Sequence, residues 1–359
     1  MARNLRQGIF SLNIMMVGTR ATGKTTYLTC VYGASKKTFL KEKAGTIELG
    51  LSSANTRSDI KKIDGWWEAL SNGKSKMPAT QSPFSYDFVM RYKNNTINGD
   101  VWPQSLLEIK WTDFRGGDYI HLADDDPESQ YNTLRNIQEV SRQIKIRDIT
   151  SAINENKYNA IMLFCKLDDI IQKSTSIYEK TNTNIGRIGV SNIIASIIEI
   201  RNNVDKKIPI VLIITHGAGK YANVKRFNKK TTDEFENFVY ESKETVINIL
   251  TEIARQYNKS FDIPWFYIDS VLAANNAKKY RSIEGMDDVR LPMLALFAQS
   301  GNIFNDIIAQ RTDAPKRRTA GIKMADFGEK LHEMIWRSMD DRLREALELS
   351  ADVTGIDVD

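Results

Sequence analysis

The sequence predicts an α/β fold in which a mostly parallel sheet is covered by helices on both faces and carries an antiparallel hairpin at one edge. Two observations carry that expectation. Four apolar, largely β-branched runs recur with helical patterns between them, as in successive βαβ units: Leu12 to Val17, Ala160 to Lys166, Ile208 to Thr215 and Ile263 to Ile268. Two further runs, Phe84 to Tyr92 and Leu106 to Thr112, mix polar and apolar residues on either side of the turn-rich stretch Asn94 to Asp100, which reads as a hairpin.

Helices are expected at 23–35, 56–71, 128–156, 188–203, 231–257 and 289–310, each with apolar residues three and four apart. With 42% hydrophobic residues in 359, the chain can bury a substantial core. After Arg311 the composition changes to Ala314-Pro315-Lys316-Arg317-Arg318, then a long amphipathic run around Met324 to Leu349, then an acidic end at Asp357-Val358-Asp359. Residues 1–311 are therefore read as one α/β domain and 312–359 as a C-terminal helical appendage, whose apolar side either folds back on the domain or binds a partner.

The charge balance narrows the partners. Fifty Lys and Arg against 45 Asp and Glu give a formal charge of +5 spread along the chain, which argues against nucleic acid as the main ligand. Cys30 and Cys165 both fall in apolar surroundings, so neither a disulfide framework nor a thiolate metal site is expected, and a reducing, cytoplasmic compartment fits. The N-terminal residues run directly into the first strand, leaving no room for a signal peptide, and no apolar run reaches membrane-spanning length. His121, His216 and His332 are too scattered for a metal centre, and the acidic stretch Asp124 to Glu128 reads as a solvated turn before a helix.

The chemistry-bearing segment follows the first apolar run. Gly18-Thr19-Arg20-Ala21-Thr22-Gly23-Lys24-Thr25 matches the phosphate-binding pattern G-x-x-x-x-G-K-[ST], between a strand and a helix opened by Thr26. A strand feeding a helix through such a loop points successive backbone N–H groups at one spot, where the helix dipole also favours an anion. Lys24 is expected to reach the β- and γ-phosphates of a nucleoside triphosphate, and the Thr25 hydroxyl to bind magnesium. A second metal-holding carboxylate is expected from Asp113, which ends a strand and opens Asp113-Phe114-Arg115-Gly116, with the Gly116 N–H facing the γ-phosphate. Thr80, just before the strand at Phe84, is the expected γ-phosphate sensor and third magnesium ligand, with Thr46, Thr56 and Thr96 as competitors.

These residues resemble the P-loop GTPases of the translation-factor and Ras-like (TRAFAC) class, and within it the bacterial double-GTPase-type proteins of conflict and signalling systems. The resemblance covers roughly residues 10–275, with Gly18 to Thr25 as phosphate loop, Trp66-Trp67 through Thr80 as first switch and Trp111 to Gly117 as second. It implies magnesium-dependent binding and slow hydrolysis of a nucleoside triphosphate, GTP favoured over ATP, as a switch controlling a protein effector or oligomeric partner. The alternative is a nucleotide-sensing module that scarcely hydrolyses.

Two departures from the family pattern, and one partial match, bear on this. Where the family reads guanine with N/T-K-x-D, the chain has Thr215-His216-Gly217-Ala218, so Thr215 is kept, His216 replaces lysine and the aspartate is absent. Ser270, after Tyr267-Ile268-Asp269, resembles the last base-side motif, and the aspartate–serine pair is equally a helix cap. In place of the water-positioning glutamine stand Gly117 and Asp118, which implies slow turnover unless another group orients the water. Arg20 and Arg115 are placed to stabilise the transferring phosphoryl group, or alternatively to face solvent or pair with Asp118.

Overall fold

A computed structural model describes residues 10–18, 22–36, 40–41, 45–72, 84–94, 107–113, 147–155, 157–167, 198–204, 208–215, 265–268 and 289–293. It also describes positions 170, 230, 233–234, 237, 246, 248, 250–251, 255, 263 and 295–296. The proposed boundary at 311, the appendage 312–359 and its acidic end lie outside the described residues.

Eight strands form one sheet in the order β2-β3-β4-β5-β1-β6-β7-β8. They are β1 (Phe10–Gly18), β2 (Leu40–Lys41), β3 (Gly45–Leu51), β4 (Phe84–Asn94), β5 (Leu107–Asp113), β6 (Ala160–Lys166), β7 (Ile210–Thr215) and β8 (Trp265–Ile268). β1 pairs in parallel with β5 and β6, and β7 and β8 continue the parallel side. The expected hairpin is present as β4 against β5, in register from Phe84 opposite Asp113 to Met90 opposite Leu107. Beyond it the antiparallel side continues through β3 and β2, two strands that the sequence pattern did not reveal.

Burial divides the sheet into two kinds of strand. β6 and β7 are buried at nearly every position, because both of their faces are covered. On one face, Ile14, Met16, Met162, Phe164 and Ile213 pack with α1 (Lys24–Ser35), with Ile63 of α2 (Arg57–Ser71) and with Met293 and Leu296 of the helical residues 291–293 and 295–296. On the other, Met15, Val17, Ile161, Leu163 and Ile214 pack with Ile153, Ile198, Ile200, Val246 and Leu250. Residues 147–154 and 198–203 are helical there, so the fold has the three layers that the alternating pattern predicts. β3, β4 and β5 instead alternate: Leu49, Tyr86, Phe88, Met90, Ile109 and Trp111 are buried, while Asp87 and Val89 are half-buried and Lys110 is exposed. That alternation is why these strands read as amphipathic and the parallel ones as solid apolar runs.

α1 is buried around most of its circumference, from Tyr27 through Ala34. Its neighbour α2 explains why. The Trp67 ring lies flat against Gly33, where a Cβ would stand 2.3 Å from ring carbons. Tyr32 and Lys36 both donate to the Asp64 carboxylate, at 2.6 and 2.5 Å. Lys36 first and Tyr32 second hold that carboxyl below its usual range, and burial followed by Asp64 pushes the Tyr32 phenol upward.

α2 is equally fixed to β4. Its start is a capping box, with Thr56 accepting from the Asp59 N–H and Asp59 accepting from the Thr56 N–H. Just before it, the Asn55 side chain accepts from the Asp87 N–H at 3.0 Å and donates to the Asp87 carbonyl at 2.6 Å, imitating a strand partner. Trp66 then packs on Phe84 and Tyr86, with ring centroids 5.7 and 6.3 Å apart. Trp66 and Trp67, read from sequence as the start of a first switch, thus sit on the fifteen-residue helix α2, tied to β4 and to α1 respectively.

Two measurements probe this arrangement. Gly33→Ala should cost about 1–3 kcal/mol in urea denaturation, since the new methyl must displace the Trp67 ring. Burial, aided by Asp59, pushes the Tyr86 phenol up to about 12. An unfolded tyrosine ionises near ~10, so the folded form holds its proton longer and stability falls as pH rises from about 10 to about 12, by roughly 2–3 kcal/mol. Tyr86→Phe should flatten that part of the pH–stability curve; an unchanged slope contradicts the assignment.

Candidate functional site

The carboxyl ends of β1, β5, β6 and β7 lie along one edge of the sheet, as parallel pairing requires. Register places Asp113 opposite Met16, Phe164 opposite Gly18 and Thr215 opposite Lys166. Gly18 therefore ends the central strand between β5 and β6, where the chain leaves for opposite sides of the sheet and where open α/β sheets form their ligand crevices.

The loop's conformation follows from its glycines. Gly23 caps α1 with φ 81° and ψ 13°, a left-handed backbone that a side chain would strain. A Cβ on Gly18 would stand 2.6 Å from the Phe164 carbonyl oxygen and 2.9 Å from Thr22 Oγ1, so glycine is needed there for space. The Tyr27 N–H donates to the Gly23 carbonyl at 2.8 Å, starting the helix directly at the loop.

Lys24 is 6% exposed, and its ammonium donates to the Gly18 carbonyl at 3.0 Å across the base of the loop. An ammonium withdrawn from water is stable only with oxygen partners around it, so this group is poised for an anion. Thr22 and Thr25 are buried beside it, and Thr26 is half-buried. Thr215 supplies a second anchor: its hydroxyl lies 2.7 Å from the Thr22 carbonyl and 3.3 Å from that of Cys165. A hydroxyl has one proton to donate, and the shorter contact to Thr22 is the better bond. The tip of β7 is thus tied to the loop.

Asp113 is the last residue of β5, next to β1 in the sheet. Beneath it the hydroxyls of Thr112 and Ser85 share a hydrogen bond of 3.0 Å, joining β5 to β4. Of the competitors for the sensing role, Thr46 is a strand residue paired with Lys41 and Lys93, and Thr56 is the cap of α2. Thr80 and Thr96 lie outside the described residues, as do Thr19, Arg20, Ala21, Arg115, Gly116, Asp118, His216 and Ser270. Gly18, Thr22, Gly23, Lys24, Thr25 and Thr26 are gathered in the loop and the first turn of α1; Thr215 is drawn to them, and Asp113 ends a strand on their edge.

Two positions escaped sequence reasoning. Asn159, just before β6, accepts from the Asn13 N–H through Oδ1 at 2.7 Å and donates its own N–H to the Asn13 carbonyl at 3.0 Å, which sets the β1–β6 register. Phe164 backs Gly18 and meets Tyr27 edge-on at 5.5 Å. An apolar run predicts burial for Phe164 and does not predict which backbone it will touch.

Among the described residues, no group of three or more His, Cys, Asp or Glu could hold a metal, and no helix is long and apolar enough to cross a membrane. Sheet and layers together define a three-layer α/β fold, with the glycine-bearing segment that opens α1 at the carboxyl edge of its central strand. The chain matches no protein-family model and no curated protein. Among solved structures it is similar to the G domain of the T. maritima FeoB iron transporter, at 10% identity over 73% of this chain and 89% of that one, TM-score 0.24. Aquifex aeolicus Era bound to GDP and AlF4− aligns at 12% identity over 83% and 68%, TM-score 0.25. The apo cytosolic domain of T. maritima FeoB aligns at 11% over 95% and 98%, also with TM-score 0.25.

Thr215→Val keeps the side chain's shape and removes its proton. It should destabilise the fold by about 1–3 kcal/mol, because the Thr22 carbonyl loses a buried donor, whereas Thr215→Ser should not. Chemical denaturation of the two variants side by side reads the difference.

Proposed function

We propose that the protein binds a nucleoside triphosphate with magnesium and hydrolyses it slowly, GTP in preference to ATP, as a conformational switch of GTPase-like architecture. The observation that carries this reading is the buried Lys24 ammonium at the mouth of a loop shaped by Gly18 and Gly23, on the carboxyl edge of the central strand. Lys24 and the amides of Gly18 to Thr25 would neutralise charge on the β- and γ-phosphates. Thr25 and Asp113 suit magnesium, which takes one or two protein oxygens and completes its shell with phosphate and water; Thr80 would add a third ligand. In this reading Gly116 donates to the γ-phosphate, and Arg20 or Arg115 offsets charge as water attacks in line.

Base recognition falls to His216 and Ser270, since the Thr215 hydroxyl is engaged with Thr22 and acts by holding the loop. Release of the γ-phosphate would free the Thr80 and Asp113–Gly116 segments, and a protein effector or oligomeric partner would read that change. Residues 1–311 form the switch in this reading, with 312–359 as an appendage, working in the cytoplasm. The sequence Gly117-Asp118, where a water-positioning glutamine would stand, favours a second reading in which occupancy is sensed with little hydrolysis.

Equilibrium binding of fluorescent GTP and ATP analogues with magnesium tests the proposal. The expected result is binding of GTP at least about tenfold tighter than ATP, abolished by Lys24→Ala. Equal or better binding of ATP refutes the base preference, and no binding of either refutes the nucleotide reading. Single-turnover hydrolysis with and without cell extract then separates a partner-stimulated switch, which accelerates, from a sensor, which does not.

A further inference from the structure

We propose that the outward face of α2 docks an acidic segment of a protein partner. Two of its carboxylates are already engaged: Asp59 closes the capping box, and Asp64, its side chain 44% exposed, is held by Lys36 and Tyr32. Beyond these engaged acids, the exposed charged residues of the helix are Arg57, Lys61 and Lys62 against Glu68. Among the described residues none of the three cations takes part in an ion pair. Lys62 instead lies over the rings of Trp66 and Phe84, 5.0 and 5.5 Å from their centroids, and both rings are half-buried.

Gly65 sits in the middle of this face, one turn beyond Lys61 and Lys62. Glycine inside a helix is destabilising relative to alanine. A Cβ at Gly65 would meet nothing within 4 Å, so no packing among the described residues accounts for the missing side chain. In Gly33 the same helix pair shows the contrary case, a glycine filled by a neighbour's ring. The result is a notch in α2 with two ammonium groups on one side and an aromatic pair beside it. Carboxylates would reach Lys61, Lys62 and Arg57 while the partner's backbone or a small side chain enters the notch.

Other occupants fit less well. A second copy related by a two-fold axis would set these cations against themselves. Base stacking is opposed because the Lys62 ammonium already covers ring faces, and a membrane surface would need apolar side chains that protrude, whereas Trp66 and Phe84 lie against Tyr86. The inference rests on α2 and β4 alone and is tested without nucleotide.

The probe is a fluorescein-labelled amphipathic peptide of glutamate and leucine, titrated by anisotropy against the full chain. Saturable binding is expected, weakened by added salt and by about tenfold in Lys61→Glu/Lys62→Glu, with unchanged circular dichroism. Gly65→Gln fills the notch and is expected to separate two readouts: Tm rises by roughly 1–2 °C, and peptide binding weakens. The proposal is overturned if the wild type shows no saturable binding, if the charge reversal leaves binding unchanged, or if Gly65→Gln raises Tm without loss of binding. Uptake of oligodeoxythymidylate or anionic vesicles through the same residues in place of the peptide also overturns it.

Discussion

The central strand β1 is the constraint on which the structure turns. It is paired on both sides and covered on both faces, so its last residue, Gly18, has no freedom to move sideways or out of the plane. Everything at the carboxyl edge is placed relative to that point. Phe164 closes against Gly18 from β6, Asp113 ends β5 next to it, and Thr215 reaches over from β7 to hold Thr22.

The two halves of the sheet serve different ends. The parallel half is buried on both faces and supplies the fixed edge. Among the described residues the antiparallel half is packed on its α1 side, and it carries the β2–β3–α2 segment inserted between α1 and β4. Through Trp67 on Gly33 and Trp66 on Phe84, α2 connects the helix that Gly23 caps to the strand that begins opposite Asp113. The chain between α2 and β4 contains Thr80, so both ends of that stretch are anchored to elements that contact the loop's own supports. α2 is thus a packed bridge on one side and a charged surface on the other.

Much of the architecture was legible because burial writes itself into composition. A strand covered twice must be apolar throughout, as Ala160 to Lys166 and Ile210 to Thr215 are, and a strand covered once must alternate, as Phe84 to Met90 does. Helix α2 could be placed nearly to the residue because its apolar residues recur three and four apart, and the capping box of Thr56 and Asp59 fixes its start in the structure. β2 and β3 could not. Leu40–Lys41 is too short for any period to show, and Gly45–Leu51 holds two glycines that interrupt its alternation.

By itself the sequence determined the class of fold and the placing of two glycines, a lysine and a threonine between a strand and a helix, since these depend on local spacing. The tertiary structure alone decided what Thr215 and Asn159 do, which ring fills the space at Gly33 and what surrounds Gly65. Thr215 and Thr22 are 193 residues apart, and Asn13 and Asn159 are 146 apart. A hydrogen bond between such positions leaves no periodic trace along the chain, because its geometry exists only once the sheet has brought the strands together.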